Sequence, residues 1–240
     1  MQALLSEAGV CSRRHAEDLI RQGRVAVNGQ TAHLGEKATA QDDIRVDGRP
    51  VLAVQEKVCY LLNKPAGVVT TLRDPQGRPS VAQYASSMPQ RVYPVGRLDR
   101  DSEGMLLLTN DGALANGLMH PRYHVPKTYV ASLDAPEDAG FLGRLRAGVD
   151  LEDGPVRFLQ VETLTPADGR ARLRLVIAEG RKRVVRRAVD AAGRHVVRLV
   201  RVAIGPLPLG DLPPGALRRL SAREVALLQS AIAAARTSGS

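Results

Sequence analysis

The chain predicts an α+β fold: a small N-terminal α/β module followed by a larger, mostly antiparallel sheet domain with flanking helices. Three observations carry this. Two short helical stretches precede two tight-turn signals, Asn28-Gly29 and Asp47-Gly48. Further along, strand-like apolar runs outnumber helical ones, which favours a sheet with helices packed on it. Between these regions, residues 51–57 lack a clear period and read as a linker. The domains are therefore expected at 1–50 and 58–240, and 240 residues at 44% hydrophobic can supply their cores.

In order, residues 2–8 read as a helix closed by Gly9, and a second helix has Ser12 as N-cap, apolar Ala16, Leu19 and Ile20, and Gly23 as its stop. Arg13 and Arg14 occupy its first turn, where cations oppose the macrodipole; either a phosphate contact or a solvated charged face accounts for them. Residues 24–31 and 42–51 read as hairpins. Residues 58–62 are strand-like and lead into Asn63-Lys64-Pro65-Ala66-Gly67, and residues 73–80 form a basic loop. Next comes a polar loop with charges at Arg97, Asp99, Arg100, Asp101 and Glu103, which runs straight into an apolar strand over 105–108. Asp111-Gly112 opens a helix over 113–119, stopped by His120-Pro121. In the strand over 127–131, Lys127 and Tyr129 share one side. A helix is expected over 139–147, strands over 156–161 and 172–177, and another helix from the basic run 179–187 to Ala192. A strand over 196–202 carries Arg198 and Arg201. Ser221 and Glu224 form a capping box for a final helix, and residues 237–240 read as disordered.

The net charge is +9, from 34 Lys and Arg of which five are Lys. An arginine-weighted basic chain suits a polyanion such as nucleic acid. With aromatic residues at 3% and no Trp, recognition by many stacking platforms is excluded in favour of shape, phosphates and one or two rings. Cys11 and Cys59 match no metal spacing or disulfide framework, and no dinucleotide or phosphate-loop fingerprint is present, so neither metal nor cofactor is expected. No apolar run approaches membrane-spanning length and no signal-peptide pattern opens the chain; a cytoplasmic monomer with no membrane partner is the expectation.

Taken alone, Arg97-Leu98-Asp99 reads as a surface ion pair on a loop, and Tyr129 as half-buried packing. In full, Gly96-Arg97-Leu98-Asp99 followed by Gly104-Met105-Leu106-Leu107-Leu108-Thr109-Asn110-Asp111-Gly112 resembles the active-site segment of the pseudouridine synthases that modify ribosomal RNA. Asn63-Lys64-Pro65-Ala66-Gly67, Lys127-Thr128-Tyr129, the run Glu179 through Arg187, and Ile204-Gly205-Pro206-Leu207 resemble further motifs of that family. Residues 7–29 resemble the S4 RNA-binding domain. The resemblance implies that Asp99 is the catalytic aspartate, that Tyr129 stacks on the target base, and that Arg186 pairs with the catalytic carboxylate. Arg181 and Arg183, with Arg97, Lys127, Arg13 and Arg14, are then the expected RNA contacts.

The implied reaction isomerises uridine to pseudouridine in ribosomal RNA, free or in assembling subunits, with no redox or energy input. The segments at 62–67, 72–79 and 151–155 resemble the members acting on 23S large-subunit RNA most, with 16S RNA as the alternative. A non-catalytic S4-type protein of the ribosome and a glycoside hydrolase with paired carboxylates are the competing readings.

Overall fold

The computed structural model describes residues 1–39, 41–51 and 55–237. Part of the expected linker, 52–54, and most of the expected disordered tail, 238–240, lie outside the described residues.

The N-terminal module consists of α1 (Gln2–Glu7), α2 (Arg13–Arg21), β1 (Val25–Val27), β2 (Gln30–Thr31), β3 (Ile44–Val46) and β4 (Arg49–Pro50). The Ser12 hydroxyl accepts the His15 N–H at 3.2 Å, so α2 starts where its cap signal lies. Asn28 and Gly29 have φ of +50° and +81°, and Asp47 and Gly48 +51° and +75°. Left-handed pairs of this kind close two-residue hairpins with the native strand twist. The four strands form one sheet in the order β2-β1-β3-β4. Leu5, Ala16, Leu19, Ile20, Val25, Val27 and Ile44 make its core.

The larger domain is built on a nine-stranded sheet in the order β11-β12-β8-β13-β7-β5-β15, with short β6 beside β7 and β14 beside β13. The strands are β5 (Cys59–Lys64), β6 (Tyr93–Pro94), β7 (Ser102–Thr109), β8 (Lys127–Leu133), β11 (Gln160–Ala167), β12 (Arg170–Ile177), β13 (Val196–Ile204), β14 (Leu207–Pro208) and β15 (Leu217–Arg219). Strands β9 (Val149–Leu151) and β10 (Gly154–Val156) form a separate ribbon. The helices are α3 (Ala82–Ala85), α4 (Gly112–Met119), α5 (Ala139–Ala147), α6 (Val184–Ala191) and α7 (Ala222–Thr237). Pairing within the nine-stranded sheet is antiparallel except between β7 and β13.

Central strand β7 is apolar without alternation because both of its faces are covered. Met105 and Leu107 join Leu114, Leu118, Leu228 and Ile232 beneath α4 and α7, while Leu106 and Leu108 join Val68, Val81, Val92 and Leu98 on the other side. A second core packs α5 and α6 on β8 and β12 through Phe141, Leu145, Val185, Val189, Leu173 and Leu175.

Two expectations fail locally. The strand expected over 156–161 is two strands: Val156 is buried at the end of β10, Leu159 is 65% exposed, and β11 then pairs with β12. The helix expected from the basic run begins only at Val184, because Arg183 stands in the left-handed region at φ +50° and residues 178–183 form a loop.

Candidate active site

The loop ahead of β7 is held rigidly on both sides of Asp99. The buried Thr70 hydroxyl donates to the Leu98 carbonyl at 2.7 Å and accepts the Leu98 N–H at 3.2 Å. On the far side, the Gly67 N–H donates to the Arg100 carbonyl at 2.7 Å, and the Asp99 carbonyl accepts the Ser102 N–H at 3.1 Å. Gly67 is itself positioned by Lys64, fully buried, whose ammonium donates to the carbonyls of Pro65 and Val68 at 2.9 and 2.8 Å. Burial lowers the Lys64 pKa to about 8, against the opposing fields of Glu103, Asp101 and Asp99. The Asn-Lys-Pro-Ala-Gly motif therefore braces the aspartate loop.

Asp99 is half-buried and opens onto a cleft of about 900 Å³. Among the described residues, no hydrogen bond or ion pair engages its carboxylate. The cleft floor is sheet. Tyr129 on β8 stands directly opposite Arg201 on β13, so their side chains leave the same face, and Lys127 shares it two residues earlier. Burial, aided by the nearby Arg201 charge, lowers the Lys127 pKa to about 8. Ser102, whose buried hydroxyl has no partner, and Met119 also line the cleft. Arg97 lies exposed at its rim, with Lys182 across it.

The floor depends on one glycine. Gly104 has φ +100°, and a Cβ there would lie 2.3 Å from the Arg201 carbonyl oxygen and 2.7 Å from its nitrogen. Only glycine lets β7 approach β13 this closely.

The basic run behaves differently from expectation. Arg186, 6% exposed, donates to the Val196 carbonyl at 2.7 Å and the Asp101 carbonyl at 3.1 Å, and its Nε lies 3.4 Å from the Asp101 carboxylate. Its ion-pair partner is thus Asp101, not Asp99. Asp101 sits in the turn at the mouth of β7, beside the start of α6, whereas Asp99 lies upstream over the cleft. Arg183 also takes Asp101, at 2.9 and 3.1 Å. Burial pushes the Asp101 carboxyl up, but the Arg183 hydrogen bond and the Arg186 and Arg183 charges outweigh it, and the pKa ends below its ordinary value. Asp99 acts on Arg186, Arg183 and Lys64 as a field, favouring the protonated form of each.

Arg181, expected at the RNA, spends its guanidinium inside the protein. It donates to Glu179, to the Asp153 carboxylate at 2.9 Å, and to the carbonyls of Asp153, Gly154 and Pro155 at 2.8 to 2.9 Å. Asp153 also takes Arg187 at 2.9 and 2.8 Å, so the β9–β10 ribbon clips the segment that presents Arg183 and Arg186. Arg13 and Arg14 lie outside the cleft, exposed at the start of α2 and without an ion pair among the described residues.

The structure thus brings together Asp99, Tyr129, Lys127, Arg97, Arg181 and Arg183 around one cleft, with Arg186 one carboxylate removed. Sequence reasoning missed Thr70, Ser102, Lys64 and Arg201 as site groups. Cations inside apolar strands were the available signal for Lys64 and Arg201; nothing local marks Thr70. Among the described residues, no cluster of three or more His, Cys, Asp and Glu is arranged to hold a metal ion, and no helix is long and apolar enough to cross a membrane.

A family model described as RNA pseudouridylate synthase matches residues 58–191, and the S4 domain model matches residues 2–44. An uncharacterised RNA pseudouridine synthase of Aquifex aeolicus (strain VF5) is 46% identical over 231 residues, covering 95% of this chain and 92% of that protein. The ribosomal large subunit pseudouridine synthase B of Bacillus subtilis (strain 168) is 42% identical over 233 residues, covering 96% and 95%. A crystal structure of a pseudouridylate synthase has a TM-score of 0.67 to this fold at 29% identity, covering 95% of this chain and 98% of that one. With its N-terminal S4 domain and a synthase domain matched across the cleft, the chain belongs to the RNA pseudouridine synthase family.

Proposed function

We propose that the protein isomerises a uridine of ribosomal RNA, in the 23S RNA of the large subunit, in the cytoplasm, and that Asp99 is the group acting at the glycosidic bond. The observation that carries the reading is the Asp99 carboxylate itself: unengaged among the described residues, open to the cleft, and held through the backbone of the residues on either side, Leu98 by Thr70 and Arg100 by Gly67. A carboxylate held this way meets the positional demand of catalysis without losing its lone pairs to a structural partner. Relatives in Bacillus subtilis, Xanthomonas campestris and Pseudomonas aeruginosa bear the name ribosomal large subunit pseudouridine synthase B, which supports the large-subunit substrate.

The chemistry breaks C1′–N1, turns the base, joins C1′ to C5, and exchanges the C5 proton for one on N1. Asp99 can attack the ribose C1′ or the base, or take the C2′ proton. Tyr129 holds the extruded base from the sheet floor. Arg186 acts on Asp99 through Asp101 rather than by direct contact, fixing the turn two residues after the carboxylate. The exposed cations Arg97 and Lys182 at the rim, with Arg13 and Arg14 on the S4 domain, meet phosphates.

Asp99→Asn is expected to abolish tritium release from C5-labelled uridine in 23S RNA while RNA binding is retained. Turnover by that variant would remove Asp99 from the role. Loss of a pseudouridine from 16S rather than 23S RNA in a deletion strain would reassign the substrate.

A further inference from the structure

Arg201 is 5% exposed, donates from Nε to the Met105 carbonyl at 2.7 Å, and has a buried Nη2 with no hydrogen-bond partner. It lines the cleft beside Lys127, and neither cation has an ion pair among the described residues. Two unanswered positive charges side by side on a sheet floor cost desolvation and mutual repulsion, and both, burial foremost, show in the lowered Lys127 pKa. An arrangement of this kind is retained where a ligand brings the missing negative charge.

We infer that Lys127 and Arg201 hold the departing uracil as an anion during the isomerisation, an assignment that rests on the proposed uridine chemistry. Uridine enters neutral. When C1′–N1 breaks along either route through the sugar, both bonding electrons leave with N1 and the base becomes a monoanion, while Asp99 supplies the compensating pair at C1′ or removes the C2′ proton. Cations aimed at that charge are answered only after the bond has begun to break, so they favour the transition state over the bound substrate. Recombination through C5 returns the charge: the C5 proton is released, N1 gains one, and no co-reactant is consumed.

Depth separates this role from phosphate binding. The cleft's exposed cations without an ion pair among the described residues, Arg97 and Lys182, stand at the rim, whereas Arg201 lies nearly buried on the floor and pairs in register with Tyr129. The cationic pair and the aromatic platform share one sheet face, which is where a base detached from its sugar would rest.

The test uses the full chain with RNA carrying uridine or 5-fluorouridine at the target site, whose fluorine makes the base anion easier to form. Single-turnover loss of the starting nucleoside is followed by mass spectrometry, and affinity is measured at two salt concentrations. Lys127→Met is expected to slow the uridine reaction about 100-fold and the 5-fluorouridine reaction only about tenfold, as removing a transition-state charge partner does. Its RNA affinity should stay unchanged, and Lys127→Arg should restore most of the rate.

Equal losses on the two substrates would overturn the inference. Weaker binding with a shallower salt dependence would also overturn it, assigning the pair to an RNA phosphate. Arg201→Gln, which removes the other charge, puts the same question a second way if Lys127→Met unfolds. An active Asp99→Ala control would instead sink the aspartate assignment, whereas an inactive control beside a fully active Lys127→Met would sink this inference alone.

Discussion

Thr70 does the least conspicuous work at the site. Its hydroxyl satisfies both backbone groups of Leu98, one residue before the carboxylate, from a segment well upstream in sequence. Thr70→Val keeps the shape and removes both bonds, leaving two buried peptide groups unpaired at about 1–3 kcal/mol in stability. Turnover should fall about tenfold or more through misplacement of Asp99, with RNA affinity unchanged. A variant with wild-type single-turnover rate would show that the loop holds itself. The same scale shows what could be read beforehand. That Asp99, Tyr129 and Arg97 line one cleft was legible because short motifs carry them. The partner of Arg186 was not, because Asp99 and Asp101 stand two residues apart and the turn geometry ahead of β7 decides which one meets α6.

Among the elements, those with local signals were legible and those built by distant contacts were not. Ser12, Asn28-Gly29, Asp111 and the Ser221–Glu224 box mark ends that depend on hydrogen bonds within a few residues, and each falls where expected. The loop over 178–183 could not be foreseen, since the Arg181 guanidinium wraps a ribbon that lies more than twenty residues earlier. Helix α7 offers a measurable case. Glu224 accepts Arg218 at 2.9 and 2.6 Å and the Ser221 N–H at 2.9 Å, and the Arg218 hydrogen bond leads in lowering its pKa from 4.5 to about 2. A depressed carboxylate stabilises the fold above its unfolded pKa and loses that contribution as pH falls through the folded one. Glu224→Gln should therefore cost about 1–2 kcal/mol at neutral pH, the scale of a lost helix cap. In urea midpoints, the gap from wild type should close between pH 4.5 and about 2. A gap independent of pH would assign the loss to packing.

For the whole molecule, the count of 34 Lys and Arg overstates what faces RNA. Arg24, Arg78, Arg181, Arg187, Arg198 and Arg218 are taken by carboxylates within the protein, a use of arginine that composition alone does not reveal. Arg13 and Arg14, exposed and without an ion pair among the described residues, remain on the S4 domain. Replacing both with Ala should weaken RNA binding and flatten the slope of log affinity against log salt by about 1–2, as expected for one or two lost phosphate contacts. An unaltered slope would move the docking surface elsewhere.

The parallel junction of β7 with β13 divides the large sheet into two blocks, and the cleft straddles the division. The carboxylate travels with one block, and the phenol, ammonium and guanidinium groups with the other. Gly104 is the rivet between them: any side chain there must wedge against the Arg201 peptide and pry acid from ring, at a cost of about 2 kcal/mol or more once its backbone angle is counted. Saturation of this codon under selection for activity should return glycine alone, although the residue does not line the cleft.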